Sequence, residues 1–317
     1  MPIVGITGAT GYVGGRLVQL LSQRQTDLRL LDDGSGPVHA INPGIEVLSA
    51  DFASAEGLRW VSDCDVVVHL AALSGVVACA RDPAGSRAVN VAGTSRLVEQ
   101  CRSRRIPLVF ASSFSVVGIP ERLPITEETP ARPTHEYSQQ KAEGERLVRQ
   151  LSHDGGALGV ILRMSNLYGN YLCQGTPVGK GNVLNLFAGQ ARKGGPLQVF
   201  APGTQKRDFI HIEDVVRHWL AAVDYLLRPR PPEVPTFSVA SGEAWTVLGV
   251  AGLVTEIWKE LHPRDTPLSV SVVENPRADV EILHPEFEVD PSYTRKALGV
   301  ECRISLRDGI RTVLSGT

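Results

Sequence analysis

Thr7-Gly-Ala-Thr-Gly-Tyr-Val-Gly14 is the stretch on which the reading of this chain turns. An apolar run, Ile3–Ile6, precedes it and reads as a strand. Val13, Leu17, Leu20 and Leu21 follow at helical spacing. Glycines at 8, 11 and 14 therefore join a strand to a helix. Glycine permits the tight turn, and its missing Cβ lets the backbone approach a pyrophosphate. The helix N-terminus then offers unpaired N–H groups and the positive end of a dipole. Three spaced glycines alone are a weak signal; with a strand before and a helix after, they are a specific one. Gly8, Thr10, Gly11, Tyr12, Val13 and Gly14 are thus candidate dinucleotide contacts.

Asp32 ends the next apolar run, Leu28–Leu31, where an acid can bind the ribose hydroxyls of an adenosine. Asp33 stands beside it. No Lys or Arg occurs from Asp32 through Gly57, so the 2′-phosphate of NADP would find no cation, and NAD is the expected cofactor. Further strands are expected at Val47–Leu48, Asp65–Leu70, Pro107–Ala111 and Val160–Leu162. Three consecutive valines in Asp65–Leu70 suit a strand buried on both faces. Val91, Val98 and Cys101 share one helical face, and another helix is expected from about Glu136 to Leu151. Strand–helix alternation implies a parallel sheet with right-handed crossovers. The fold class expected is α/β, a Rossmann-type doubly wound parallel sheet with a smaller C-terminal α/β substrate lobe. Residues 1–164 form the first lobe and 165–317 the second, with the segment near 208–240 returning to the first. The run Arg228-Pro-Arg-Pro-Pro-Glu-Val-Pro235 reads as a stiff surface connection.

The 317 residues are 43% hydrophobic and 21% charged, with 34 acids against 32 bases. A net charge of −2 recruits neither nucleic acid nor a basic partner. No run approaches the roughly 20 apolar residues of a membrane span. The first apolar run leads straight into the glycine loop, so no cleavable signal is expected. Cys64, Cys79, Cys101, Cys173 and Cys302 form no C-x-x-C pair, which argues against structural zinc and a disulfide framework. A cytoplasmic protein without a metal is expected.

Tyr137-Ser-Gln-Gln-Lys141 sets a phenol and an ammonium one turn apart on a helix. A phenol near pKa ~10 is a poor base at neutral pH. The lysine, with a positive nicotinamide ring, is expected to favour the phenolate and lower that pKa. Ser113 closes the strand before Phe114-Ser-Val-Val-Gly118 and could hydrogen-bond the reacting oxygen. Ser113, Tyr137 and Lys141 are the candidate catalytic residues.

With these motifs in place, the chain resembles the extended short-chain dehydrogenase/reductase family, in its NAD-dependent nucleotide-sugar epimerase and dehydratase branch. The resemblance, closest to UDP-glucose 4-epimerases, covers nearly the whole length. It includes Thr7–Gly14, Asp32, Asp51-Phe52, His69-Leu70-Ala71-Ala72, Asn90-Val-Ala-Gly-Thr94, Ser112–Gly118, Tyr137–Lys141, Leu162-Arg-Met-Ser-Asn-Leu-Tyr-Gly169 and Gly203–Asp214. It implies cofactor contacts at Asp51, Phe52, Leu70, Ala71, Ala72, Asn90, Tyr137 and Lys141. It implies nucleotide-sugar contacts at Ser113, Asn166, Asn182, Val183, Val199, Phe200, Arg207 and Arg277, the two arginines on the diphosphate. A bland alternative for Arg207 is an ion pair with Asp208 or Asp214. The resemblance further implies a homodimer packed through helices near 85–104 and 136–152.

Three departures from the family pattern bear on the reaction. Dehydratases of the branch carry Asp-Glu after the active-site hydroxyl, where this chain has Phe114-Ser115. Relatives read Val-Tyr-Gly where it has Val116-Val117-Gly118. Relatives also pair the second arginine with an acid three residues on, where it has Val280 between Asp279 and Glu281. The expected activity is therefore a 4-epimerase of the UDP-glucose or UDP-glucuronate type. The alternatives are a nucleotide-sugar ketoreductase or dehydrogenase, a 4,6-dehydratase, or a dinucleotide-sensing protein without turnover.

Overall fold

The computed structural model describes residues 1–34, 45–279 and 284–316. The centre is a sheet of seven parallel strands: β1 (Ile3–Thr7), β2 (Asp27–Asp32), β3 (Val47–Ser49), β4 (Val66–His69), β5 (Leu108–Ser113), β6 (Gly159–Met164) and the late strand Thr236–Val239. From one edge the order is Thr236–Val239, β6, β5, β4, β1, β2, β3. The chain winds outward from β1 in one direction, then crosses back to β4 and winds out in the other. The switch of direction leaves a crevice at the carboxyl ends of β1 and β4, the usual ligand position in open α/β sheets. Thr7 stands opposite His69 and Leu31 there, and His69 opposite Phe110.

The valines of β4 show how the sheet is covered. Val66 and Val68 point to one face and Val67 to the other, and all three are fully buried. On the first face α1 (Tyr12–Leu21) packs beside a long helix, Ile212–Leu226, through Leu17, Val18, Leu21, Val215, Trp219 and Val223. On the other face lie α2 (Ala55–Val61), then α3 (Val76–Arg81), α4 (Pro83–Arg87), α5 (Thr94–Arg104) and α6 (Glu136–Arg149). Their core contacts include Trp60, Leu97, Cys101 and Val148. A π-helical turn, Ala88–Gly93, leads into α5. The sequence extends α6 to Leu151; the structure ends it at Arg149 and tightens the chain into a 3₁₀ turn beyond.

The second lobe is made of short pieces: β7 (Asn166–Tyr168), the hairpin β8 (Asn170–Cys173) and β9 (Thr176–Gly179), α7 (Val183–Arg192), β10 (Leu197–Phe200), β11 (Lys206–His211), α8 (Ile212–Leu226), β12 (Thr236–Val239), β13 (Ala244–Thr246), α9 (Val247–Leu261) and β14 (Val270–Val273). Helices α10 (Ser292–Leu298) and α11 (Leu306–Ser315) close the described chain. β11 pairs with β7 in parallel and with β13 antiparallel, and β10 pairs with β14. A separate core of Phe187, Leu197, Val199, Val254, Ile257 and Ile310 holds this lobe. α8 and β12, although late in the chain, belong to the layers of the large sheet.

Candidate active site

At the crevice the glycine loop is sterically committed. Gly8 has φ +70°, and a Cβ on it would lie 2.7 Å from the Ala71 nitrogen. A Cβ on Gly14 would lie 2.2 Å from the Gly8 carbonyl oxygen. The start of α1 carries no side-chain cap and no acid in its first turn, so its N–H groups suit an anion. Asp32 accepts the Thr10 N–H at 3.1 Å and the Gly34 N–H at 2.9 Å, which sets its carboxylate beside the loop. Asp33 is exposed next to it. Asp51 caps the turn of Ala53 at 2.8 Å, and Phe52 packs on the ring of His69 with centroids 4.8 Å apart. The cradle fits a dinucleotide's pyrophosphate and adenosine.

Two of the expected cofactor contacts face elsewhere. Tyr12 is buried, and its hydroxyl donates to the Gly169 carbonyl at 2.7 Å, so the side chain ties the loop to the second lobe. Asn90 is 5% exposed, with its amide fully occupied by the chain: it accepts the Leu73 N–H at 2.9 Å and donates to the Leu73 carbonyl at 2.9 Å. It braces the strip after β4 from behind. That strip, Leu70–Ala72, leaves β4 with Leu70 N–H on the Thr7 carbonyl and Ala71 N–H on the Thr7 hydroxyl. Val13 is half-buried on α1.

α6 begins with a reciprocal cap. His135 Nδ1 accepts the Ser138 N–H at 3.2 Å, and Ser138 Oγ accepts the His135 N–H at 3.1 Å. Tyr137 follows in the first turn. One turn on, Lys141 is 6% exposed and donates to the Ala111 carbonyl at 2.8 Å. Its ammonium lies 5.9 Å from the Tyr137 ring centroid and 5.2 Å from that of Phe110. Burial lowers the Lys141 pKa to about 8. The expected drop in the phenol pKa is not produced by the chain's own groups. Burial pushes Tyr137 up to about 12, against the hydroxyls of Ser74 and Ser113, which pull it down. The positive charge of an oxidised nicotinamide is the further attraction that the phenolate needs.

Ser113 Oγ accepts the Ser115 N–H at 3.2 Å. Phe114 turns away into an apolar cluster with Val116, Val117, Ile125 and Val289, edge-on to Phe287. Val117, at the position where relatives have Tyr, is 1% exposed inside that cluster.

On the other side, β7 runs parallel to β11, and Asn166 donates to the Asp208 carbonyl at 3.0 Å. Arg207 donates to the Lys206 carbonyl at 2.7 Å. The carboxylate of Asp208 accepts from Ser165, Ser241 and Gly242, and that of Asp214 from Arg217 and the backbone of Arg303 and Ile304. Both acids proposed as ion-pair partners of Arg207 thus have other work. Asn182 caps α7 by accepting the Asn185 N–H, and its buried Nδ2 has no protein partner among the described residues; Val183 follows half-buried. The Val199 side chain is fully buried in the lobe's core, so any ligand contact there falls to its backbone. Phe200 is half-buried, and the Arg277 guanidinium stands 5.1 Å from its ring centroid. Val280 and Glu281 lie outside the described residues.

Comparison with known proteins decides the family. Residues 4–236 match the NAD dependent epimerase/dehydratase family. The chain belongs to that family. It is an NAD-dependent enzyme of the epimerase type within the extended short-chain dehydrogenase/reductases. The putative UDP-glucose 4-epimerase of Methanocaldococcus jannaschii is 32% identical over 225 residues, covering 69% of this chain and 73% of the relative. MoeE5, solved in complex with UDP-glucuronic acid and NAD, is 25% identical with a TM-score of 0.80, covering 98% of this chain and 97% of that one. TunA, an NAD-dependent NDP-hexosamine 5,6-dehydratase, is 26% identical with a TM-score of 0.82, covering 99% and 97%. No helix among the described residues is long and apolar enough to cross a membrane.

Within this family member, sequence reasoning passed over three polar groups near the candidate site. His69 spans β1 and α5, its Nδ1 2.8 Å from Thr7 Oγ1 and its Nε2 3.1 Å from Thr94 Oγ1. Burial, aided by Lys141, drops its pKa to about 3, so it stays neutral. Ser74 faces the Tyr137 phenol from the strip after β4. Gln140, inside the Tyr137–Lys141 motif itself, is fully buried. Its signal was partial: an amide one residue before the candidate lysine on a buried helix face must find partners, but the sequence does not say which.

Proposed function

We propose that the protein is a nucleotide-sugar 4-epimerase acting on a UDP-sugar of the glucose or glucuronate type. The observation that carries this reading is the make-up of the β5–α6 corner. Ser113, Tyr137 and Lys141 form a complete proton-transfer set, while Phe114, buried away from it, and Ser115 put no carboxylate at the two positions after Ser113.

The residues divide the work. Tyr137 takes the proton of the sugar 4-hydroxyl as a phenolate and later gives it back. Ser113 hydrogen-bonds the same oxygen and steers its lone pairs. Lys141, held on the Ala111 carbonyl, keeps positive charge one turn from the phenol. NAD, held by the glycine loop and Asp32, would supply reversible hydride transfer at C4 and would be regenerated within each turnover. Arg207, Arg277 and the cap residue Asn182 hold the diphosphate while the sugar turns over. A homodimer through the helices near 85–104 and 136–152, in a cytoplasmic enzyme, belongs to the same reading; Val89 is an exposed apolar residue of that segment.

The test uses sugar deuterated at C4 with excess unlabelled NADH in solution, read by mass spectrometry. An epimerase keeps the deuterium in the sugar and mixes the C4 configuration. Deuterium appearing in the soluble cofactor pool overturns the reading in favour of a dehydrogenase, and a product lighter by one water overturns it in favour of a dehydratase.

A further inference from the structure

The Tyr137–Lys141 turn carries a third polar side chain whose partners lead back to the phenol. Gln140 Nε2 donates to Ser86 Oγ at 2.8 Å and to the Glu136 carboxylate at 2.9 Å. Ser86 in turn donates to the Pro83 carbonyl at 3.1 Å, and Glu136 is held by Arg87 at 2.6 Å. Both Nε2 hydrogens are thereby used, and the amide has one orientation that satisfies its surroundings. Its Oε1 accepts from Asn90 Nδ2 at 2.6 Å, and the Cys79 thiol lies 3.7 Å from the same oxygen. Asn90 Nδ2 spends its other hydrogen on the Leu73 carbonyl, which Cys79 also approaches at 3.4 Å, and Asn90 Oδ1 accepts the Leu73 N–H. A reversed Asn90 amide would set donor against donor at the Leu73 N–H and acceptor against acceptor at the Leu73 carbonyl.

The result is a directional chain of buried hydrogen bonds that fixes both backbone polar groups of Leu73. The residue after Leu73 is Ser74, which is exposed and whose hydroxyl lies near enough to the Tyr137 phenol to pull its pKa down. We propose that Gln140 is a positioning residue: through Asn90 and Leu73 it sets the hydroxyl of Ser74 against the Tyr137 phenol, so that the helix bearing the base also aims the group that steadies its anion. Ser74 thereby becomes a second hydroxyl on that oxygen, opposite in origin to Ser113: one comes from the end of β4, the other from the end of β5. A hydrogen bond to the charged form of an acid favours that form, and a buried amide pair with all its bonds made holds position better than a loop does.

The inference rests on the reading of Tyr137 as the proton-transfer group, and the experiment separates the two. Gln140→Met, which keeps length and removes the amide, Ser74→Ala, and the double variant are compared with Tyr137→Phe. The readouts are kcat and KM for a UDP-sugar, NAD affinity, and the pH profile of kcat. Misplacement near a reacting centre can cost roughly 10- to 100-fold in rate, and a loss of that order in kcat is expected for each single variant. The acid limb of the profile should move to higher pH in both, with KM and NAD affinity within about twofold. Because both changes act through one hydroxyl, the double variant should be no slower than Ser74→Ala alone. Multiplying effects in the double variant overturn the proposal, as does a loss of NAD affinity in step with kcat, which would make Gln140 a general support. Ser74 is exposed, so Ser74→Ala folds even if Gln140→Met does not; an unchanged kcat and pH profile there is enough to reject the proposal. A fully active Tyr137→Phe enzyme would instead remove the base assignment itself.

Discussion

Lys141 and Arg163 are both cations buried in the first lobe, 6% and 3% exposed, and both are tied to α6. Their surroundings differ in kind. Arg163 makes a two-pronged pair with Glu145, both contacts at 2.9 Å, and gives a third hydrogen to the Thr129 carbonyl. Glu145 also accepts from Ser112 at 2.7 Å and from Arg149 at 3.1 Å. Burial alone would raise the Glu145 carboxyl; Arg163, with Ser112 and Arg149, more than reverses that and holds it below the usual range. Lys141, one turn away on the same helix, donates to the neutral Ala111 carbonyl, and its proton is held loosely. A charge met by a full countercharge serves as scaffold. A charge met by a dipole remains responsive, which is what proton chemistry needs.

This contrast can be broken by experiment. The largest effect should come from Lys141→Met: kcat should fall by roughly 10²–10⁴, while the melting temperature stays level or rises because a desolvated charge is gone. A melting temperature that falls with the activity would erase the distinction. Arg163→Leu should do the reverse, costing about 3–5 kcal/mol in urea unfolding because Glu145 loses its main partner in the interior; a loss under about 1 kcal/mol would show that water or Arg149 takes over. A third measurement sharpens the Lys141 side. Below pH 8 the folded and unfolded chains both hold the Lys141 proton and the burial penalty is in full. Between about 8 and 10.5 the folded chain has released it while the unfolded chain still binds it, so stability should rise with pH. Relative to Lys141→Met, the wild-type chain should gain about 3 kcal/mol across that window, and a flat difference curve would contradict it. The smallest effect concerns where α6 begins. His135→Ala removes the cap and should cost about 0.5–2 kcal/mol, whereas His135→Asn, a good cap, should cost little; equal losses would mean that the ring's stacking on Tyr137, and not its Nδ1, matters.

The first lobe was legible because its central strands are nearly unbroken apolar runs. Leu28–Leu31, the three valines of β4 and Pro107–Ala111 each fall within a strand or one residue of it. The glycine loop was equally readable, and Gly8 and Gly14 indeed leave no room for a Cβ. The second lobe was not. Its short strands mix polar and apolar residues, and β14 leaves Val270 and Val272 on its surface, so apolar side chains do not mark an inner face. That the Val199 side chain belongs to the core was hidden for the same reason. Gln140 and Ser74 escaped notice because their meaning lies in contacts across the chain. The bond from Asn90 to Gln140 joins residues 50 apart in sequence, and no local pattern encodes it. Phe114 shows the opposite case, where a missing carboxylate was plain in the sequence and the structure added where the replacing ring goes.

α1 begins at the glycine loop, yet its flank is fastened to the other lobe. Tyr12 holds the Gly169 carbonyl and Gln19 reaches the Leu172 carbonyl at 3.2 Å, while Arg16 grips Glu213 at the start of α8 with two bonds of 2.9 Å. A hinge that swung the lobes apart along this seam would have to sever the first two and pull on the glycine turn. The glycine turn is therefore braced from outside its own lobe, and it cannot shift without the segment from Gly169 to Leu172 shifting with it.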